Sequence, residues 1–170
     1  MNTYKLTLLA IFAAVAVVGR VLFVFIPNVQ PVTAMVIITG VLLGPLSGLI
    51  IAILATFLSN MVLGLGLWAI WQITSWGFIG IIAGIMGKYI KNIPLYVLLA
   101  FGLFSGYLYG FMISLTSYQV TGKFWPYYLA GLPFDTNHAI GNFVFILLLY
   151  PTIVYLTKRY AKGRFQLQQL

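Results

Sequence analysis

The chain has 170 residues, 62% of them hydrophobic and 6% charged, with a mean hydropathy of +1.07. Ordinary soluble domains carry about 25% charged residues, so this composition leaves too little polar surface to face water and excludes a soluble globular fold. Nine basic residues oppose one acid, Asp135, for a net charge of +8, and the lack of cysteine excludes disulfides, thiolate catalysis and cysteine-based metal sites.

Apolar runs bounded by Pro, Gly and Lys predict six helical spans, at about 5–26, 32–44, 46–63, 73–90, 94–118 and 137–158. The first begins at Lys5 and competes with a signal peptide. Its apolar run is longer than a signal core of about 7–15 residues and is interrupted by Arg20 rather than closed by a cleavage site. It reads as a retained helix. Arg20 is the basic residue well inside a span, where a charge costs about 2.5–3.5 kcal/mol on insertion scales. Its place near one end offers snorkelling to the interface or a ligand or loop contact as alternatives.

A stiff linker follows, Pro27-Asn28-Val29-Gln30-Pro31, with two amide side chains between its prolines. The second span is short for a crossing, and Gly44-Pro45-Leu46-Ser47-Gly48 turns the chain back into the third. One kinked helix from 32 to 63 would far exceed a hydrocarbon core of roughly 30 Å. Between the third and fourth spans lies the segment 64–72, containing Trp68, Trp71 and Gln72, with Trp76 just beyond.

Small residues recur at four-residue spacing: Gly80 and Gly84 in the fourth span, Gly102, Gly106 and Gly110 in the fifth, and Gly40, Gly44 and Gly48 about the turn. Such stripes let helix backbones approach closely in lipid, and they read as packing within the chain. Ala10 and Ala14 form a similar stripe that suits another protein equally well. Segment 119–136 carries Phe124-Trp125-Pro126-Tyr127-Tyr128 and then Asp135, with His138 three residues later. Asp135 is expected to cap the sixth helix or to contact a ligand.

Positive residues in short loops are retained on the cytoplasmic side. Lys5, Lys88, Lys91, Lys158, Arg159, Lys162 and Arg164 fall on one side of a six-span arrangement, with Lys123 opposite. Both termini are therefore expected in the cytoplasm, and segments 27–31, 64–72 and 119–136 outside. All four tryptophans and much of the amide chemistry collect at that outer face. An interfacial aromatic belt would populate both faces. A ligand-capturing outer surface accounts for the asymmetry better than a belt alone.

Energy coupling is missing from the residues. A phosphate-binding loop ending at Gly87-Lys88 is ruled out, because Ile82 stands where its first glycine is needed and Tyr89 where a Ser or Thr must follow. No carboxylate lies within the predicted spans to couple ion flow. One acid and one histidine neither complete a metal cluster nor supply paired carboxylates or a nucleophile triad. The chain reads as non-catalytic, with no catalytic or metal-binding residue, no cofactor of its own and no nucleic-acid partner. It holds something yet cannot drive it inward alone.

The strings Gly19-Arg20-Val21-Leu22-Phe23, Pro27-Asn28-Val29-Gln30-Pro31, Ser59-Asn60 and Trp68-Ala69-Ile70-Trp71-Gln72 with Trp76-Gly77 resemble those of the S-components of energy-coupling factor (ECF) transporters, most closely the cobalamin-specific branch. The resemblance implies an all-α membrane protein, one six-helix transmembrane domain over 1–170, in the plasma membrane of a bacterium. It implies partners as well, a T-component contacted through Ala10 and Ala14 and two ATPases that bind the ATP. Cobalamin is the implied cargo, captured outside and delivered by toppling of the subunit in the membrane. Another vitamin, a queuosine precursor, or a self-sufficient facilitator are the alternatives. Asn28, Gln30, Asn60, Trp68 and Gln72 fall on matching motif positions and are assigned to the cargo site. Tyr127, Tyr128, Asp135 and His138 join them by topology. Cobalt and nickel S-components begin Met-His, whereas this chain begins Met1-Asn2, which disfavours a free metal ion as cargo.

Overall fold

A computed structural model of the chain describes residues 3–160. Met1 and Asn2, and the expected basic residues Lys162 and Arg164, lie outside the described residues. The described chain is helical: α1 (Thr3–Leu22), α2 (Val32–Leu43), α3 (Pro45–Leu63), α4 (Trp68–Tyr89), α5 (Leu95–Thr121) and α6 (Trp125–Tyr160). Five of these, all but α2, are long and apolar enough to cross a membrane.

α2 has 12 residues, about 18 Å of helix, and every one of them is buried. A helix apolar on all sides belongs in an interior, and α2 accordingly touches each of the other five. The other helices shield it from lipid. Gly44, at φ +100°, adopts a conformation open to glycine and reverses the chain, and Pro45 opens α3 where a missing N–H costs nothing.

Glycines set the helix spacing. A Cβ at Gly48 would lie 2.6 Å from the Gly80 carbonyl oxygen, and one at Gly40 would lie 2.6 Å from the same atom. The α2–α3 turn therefore rests directly on the α4 backbone. On the other side of the bundle Gly106 of α5 admits the Ala139 backbone of α6, while Gly102 meets Ile146 and Gly110 meets Asp135. Most of these glycines thus pack within the chain, as read from their spacing. Ala10 and Ala14 differ, because both are exposed while α1 buries Leu9, Phe12, Ala13 and Ala16 against the bundle.

Three boundaries differ from the sequence expectation. α1 ends at Leu22 rather than near 26, since Pro27 keeps Ile26 out of helix and residues 23–29 close successive turns, Ile26 N–H to Phe23 O at 2.9 Å among them. Segment 64–72 is loop only to Leu67; past the break at Gly64 and Gly66, Trp68 to Gln72 already form the first turns of α4. The expected loop 119–136 is mostly helix, with α6 starting at Trp125. Pro126 suits a first helical turn, and close packing on the glycines of α5 carries α6 through Pro133. Polarity marks these residues as loop, whereas Trp68, Gln72, Tyr127 and Asp135 among them are helical and line a cavity.

Candidate functional site

The connections 23–31, 64–67 and 122–124 share one end of the bundle, and a divided cavity opens there. Its first lobe, about 340 Å³, is lined by Trp68, Tyr127, Ser114, Ser117 and Asp135 among others. The second, also about 340 Å³, is lined by Arg20, Phe23, Pro27, Gln30 and Leu63 among others. Asn28, Gln72 and Tyr109 border both lobes. Each of these three comes from a different element, so the partition exists only in the folded bundle. Asn28 reaches it from a left-handed turn, φ +60°, which asparagine tolerates better than most residues.

The partition is braced from below. Gln72 accepts a hydrogen bond from Asn60 Nδ2 at 2.8 Å and donates through Nε2 to the Tyr109 hydroxyl at 3.0 Å. This fixes the amide of Gln72 and points the remaining Tyr109 surface at the lobes. Beneath it, the Tyr109 ring stacks on Trp76 (4.8 Å between centroids) and leans on His138 (4.7 Å). Trp76 Nε1 donates to Thr33 Oγ1, and Thr33 Oγ1 lies 2.8 Å from His138 Nε2. A hydroxyl that accepts from Trp76 has its own proton to give to Nε2, and that assignment leaves the imidazole proton on Nδ1. Thr33, in the buried α2, thus ties α4 to α6 under the cavity floor.

Two charged residues complete the site. Arg20 turns inward rather than snorkelling: it donates to Ser59 Oγ at 2.6 Å, lies 5.2 Å over the Trp76 ring, and is only 9% exposed. The inward arrangement replaces lost water with a hydroxyl and an aromatic face. Asp135 does not cap a helix. It sits ten residues inside α6, 4% exposed, with Oδ2 meeting no hydrogen-bond partner among the described residues. Its carboxylate occupies the space above Gly110, where any larger residue would collide with it.

Of the residues expected at the site, Asn28, Gln30, Trp68, Gln72, Tyr127 and Asp135 line the cavity. Asn60 and His138 stand behind the lining, buried and bracing it. Tyr128 belongs elsewhere, in a cluster with Phe111, Phe124 and Trp125. Its ring faces those aromatics rather than the lobes. The tryptophans also divide by role: Trp68 lines the cavity, Trp76 is wholly buried, Trp71 donates to Gln119 on α5, and Trp125 is 64% exposed. Tyr109, Ser114 and Ser117 were not singled out in the sequence. The available signal was hydroxyl-bearing residues recurring near Gly110 in an otherwise apolar helix.

Chemically the cavity offers amides, hydroxyls, aromatic faces, one carboxylate and one guanidinium, a donor set for a polar organic ligand with apolar area. Among the described residues no three His, Cys, Asp or Glu side chains gather as a metal site.

The family model described as "ECF transporter, substrate-specific component" matches residues 4–155 of the chain. No curated protein and no solved structure matches it.

Proposed function

From the premise that the chain belongs to the family of ECF transporter substrate-specific components, we propose that it captures a vitamin in the divided cavity and hands it across the membrane with the help of partner subunits. The observation carrying this reading is that Asn28 from the 23–31 connection and Trp68 and Gln72 from α4, assigned from motif strings, border one lobe together with Tyr127 and Asp135 from α6. Such convergence of amides and aromatic rings on a concave surface is what a specific small-molecule site requires.

In this reading all six helices cross or enter the bilayer, with both chain ends in the cytoplasm and the cavity facing outside. The placement is supported by Lys88 in the last turn of α4 and Lys158 and Arg159 in that of α6, at the end remote from the cavity. A T-component engages α1 through Ala10 and Ala14, two ATPases supply the energy, and the whole subunit topples to release its cargo. The chain itself catalyses nothing.

Cobalamin is the cargo favoured by the resemblance of the motif strings. Broad aromatic faces with peripheral amides suit its corrin ring and carboxamide fringe. The volume of the cavity favours a second reading. Lobes of about 340 Å³ are at the small end of ligand sites, roughly 300–1,000 Å³, and suit a smaller vitamin or a queuosine precursor unless the lobes merge and open.

The experiment is a vitamin panel against the purified protein by thermal shift and absorption spectrum, followed by uptake in cells with and without the T-component and ATPases. Stabilisation by one vitamin and uptake only with all partners is the expected result. Uptake by the chain alone, insensitive to ATP depletion, would identify a facilitator instead. A red chromophore carried through purification identifies cobalamin.

A further inference from the structure

The partition gives the two lobes opposite charge chemistry. Arg20 lines the second lobe and is absent from the first; Asp135 lines the first and is absent from the second. Both are more than nine-tenths buried. A buried charge is costly unless it is paired and hydrogen-bonded, and these two face different lobes with Gln72 and Tyr109 between them. Arg20 holds one hydroxyl, that of Ser59, against a fork of five N–H donors. Asp135 lines the first lobe, and its Oδ2, itself buried, meets no donor among the described residues. Gly110 has no side chain, and that is the reason a carboxylate fits there. A purely structural carboxylate would be expected to spend its oxygens on backbone or side-chain donors.

Resting on the capture reading above, we propose that the cavity selects a ligand with two unlike ends: an anionic oxygen group, phosphate or carboxylate, received by Arg20, and a nitrogen bearing N–H donors, ammonium or primary amide, received by Asp135. Gln72, Asn28 and Tyr109 contact the middle of such a ligand. Selection follows because a ligand missing either end leaves one buried charged group with hydrogen-bonding capacity unfilled, and that loss is felt more strongly than a missing apolar contact.

The test uses probes that differ at one end. Cyanocobalamin is compared with cobinamide, which lacks the phosphodiester together with the ribose and dimethylbenzimidazole it carries, and with cyanocobalamin monocarboxylate, in which one amide is hydrolysed. Pyridoxamine 5′-phosphate is compared with pyridoxamine and with pyridoxine 5′-phosphate, and thiamine monophosphate with thiamine. For whichever series binds the wild-type protein, removing the anion should weaken binding about 10- to 100-fold, the span of a charge-assisted hydrogen bond. In Arg20→Gln that discrimination should vanish while discrimination at the nitrogen end persists, and Asp135→Asn should show the converse. Arg20→Lys should keep part of the preference for the anion.

If Arg20→Gln and Asp135→Asn weaken binding of whole and truncated probes by the same factor, both residues merely hold the fold and the inference is overturned, with the capture reading intact. Should a variant fail to accumulate, the wild-type comparison decides, since equal affinity for the whole and truncated probes is equally fatal. If no probe and no vitamin stabilises the wild-type protein, the capture reading falls first and the inference falls with it.

Discussion

The carboxylate of Asp135 on α6 fills the position where a side chain on Gly110 of α5 would begin. This contact joins a packing device to a chemical one. The same glycine stripe that lets α5 and α6 approach also makes room for the one acid in the chain, which lines the cavity.

Gly110→Ala should therefore be more damaging to binding than its size suggests. The added methyl must displace the carboxylate or part the helices, an overpacking that costs about 1–3 kcal/mol. Thermal unfolding in detergent should fall accordingly, and cargo binding should drop further than in Gly106→Ala at equal loss of stability. Equal binding in the two variants would separate Asp135 from recognition.

Trp68→Ala and Gln72→Ala both remove cavity lining, but they are expected to differ in their effect on the fold. Trp68 is 42% exposed, so its truncation should spare expression and melting temperature while weakening cargo binding about 30-fold, as for an anchoring aromatic in an interface. Gln72 braces Asn60 and Tyr109, so its loss also strands two buried partners at about 1–3 kcal/mol each. Titration and thermal melts on the same preparations check both, and unchanged affinity in both variants would place the site elsewhere.

Thr33→Val probes the floor. The hydroxyl serves Trp76 and His138 at once, and a methyl in its place leaves an indole N–H and an imidazole nitrogen unpaired in the interior. A destabilisation of about 1–3 kcal/mol per stranded group is expected, whereas Thr7→Val, at an exposed position of α1, should leave the melt unchanged. A Thr33→Val melt that matches wild type would mean that the network contributes nothing.

Ala10→Trp with Ala14→Trp should block assembly with the T-component and ATPases and leave cargo binding intact. Both alanines are exposed on α1, outside its buried face, and neither lines the cavity. Co-purification measures assembly and thermal shift measures binding. Normal pull-down by the double variant would remove the stripe from the partner interface.

The membrane character, the helical fold and the order of its elements were legible in the sequence because they depend on local chemistry. Long charge-free runs require a lipid environment, prolines and glycines punctuate them, and small residues at four-residue spacing announce close helix contacts. The motif strings also contain part of the lining: Asn28, Gln30, Trp68 and Gln72 border the cavity. Local chemistry misled where polarity had two causes. Trp68, Gln72, Tyr127 and Asp135 supply aromatic, amide and acidic groups to a cavity, and the same groups in sequence read as loop. Only the tertiary structure turned Arg20 inward onto Ser59 and Trp76, set Asp135 over Gly110 instead of at a helix cap, sent Tyr128 and Trp76 away from the lining, and made Tyr109 a wall between two lobes. The physical reason is that a side chain's neighbours depend on how helices from distant parts of the chain are juxtaposed, and helical periodicity specifies a face without specifying what lies opposite it.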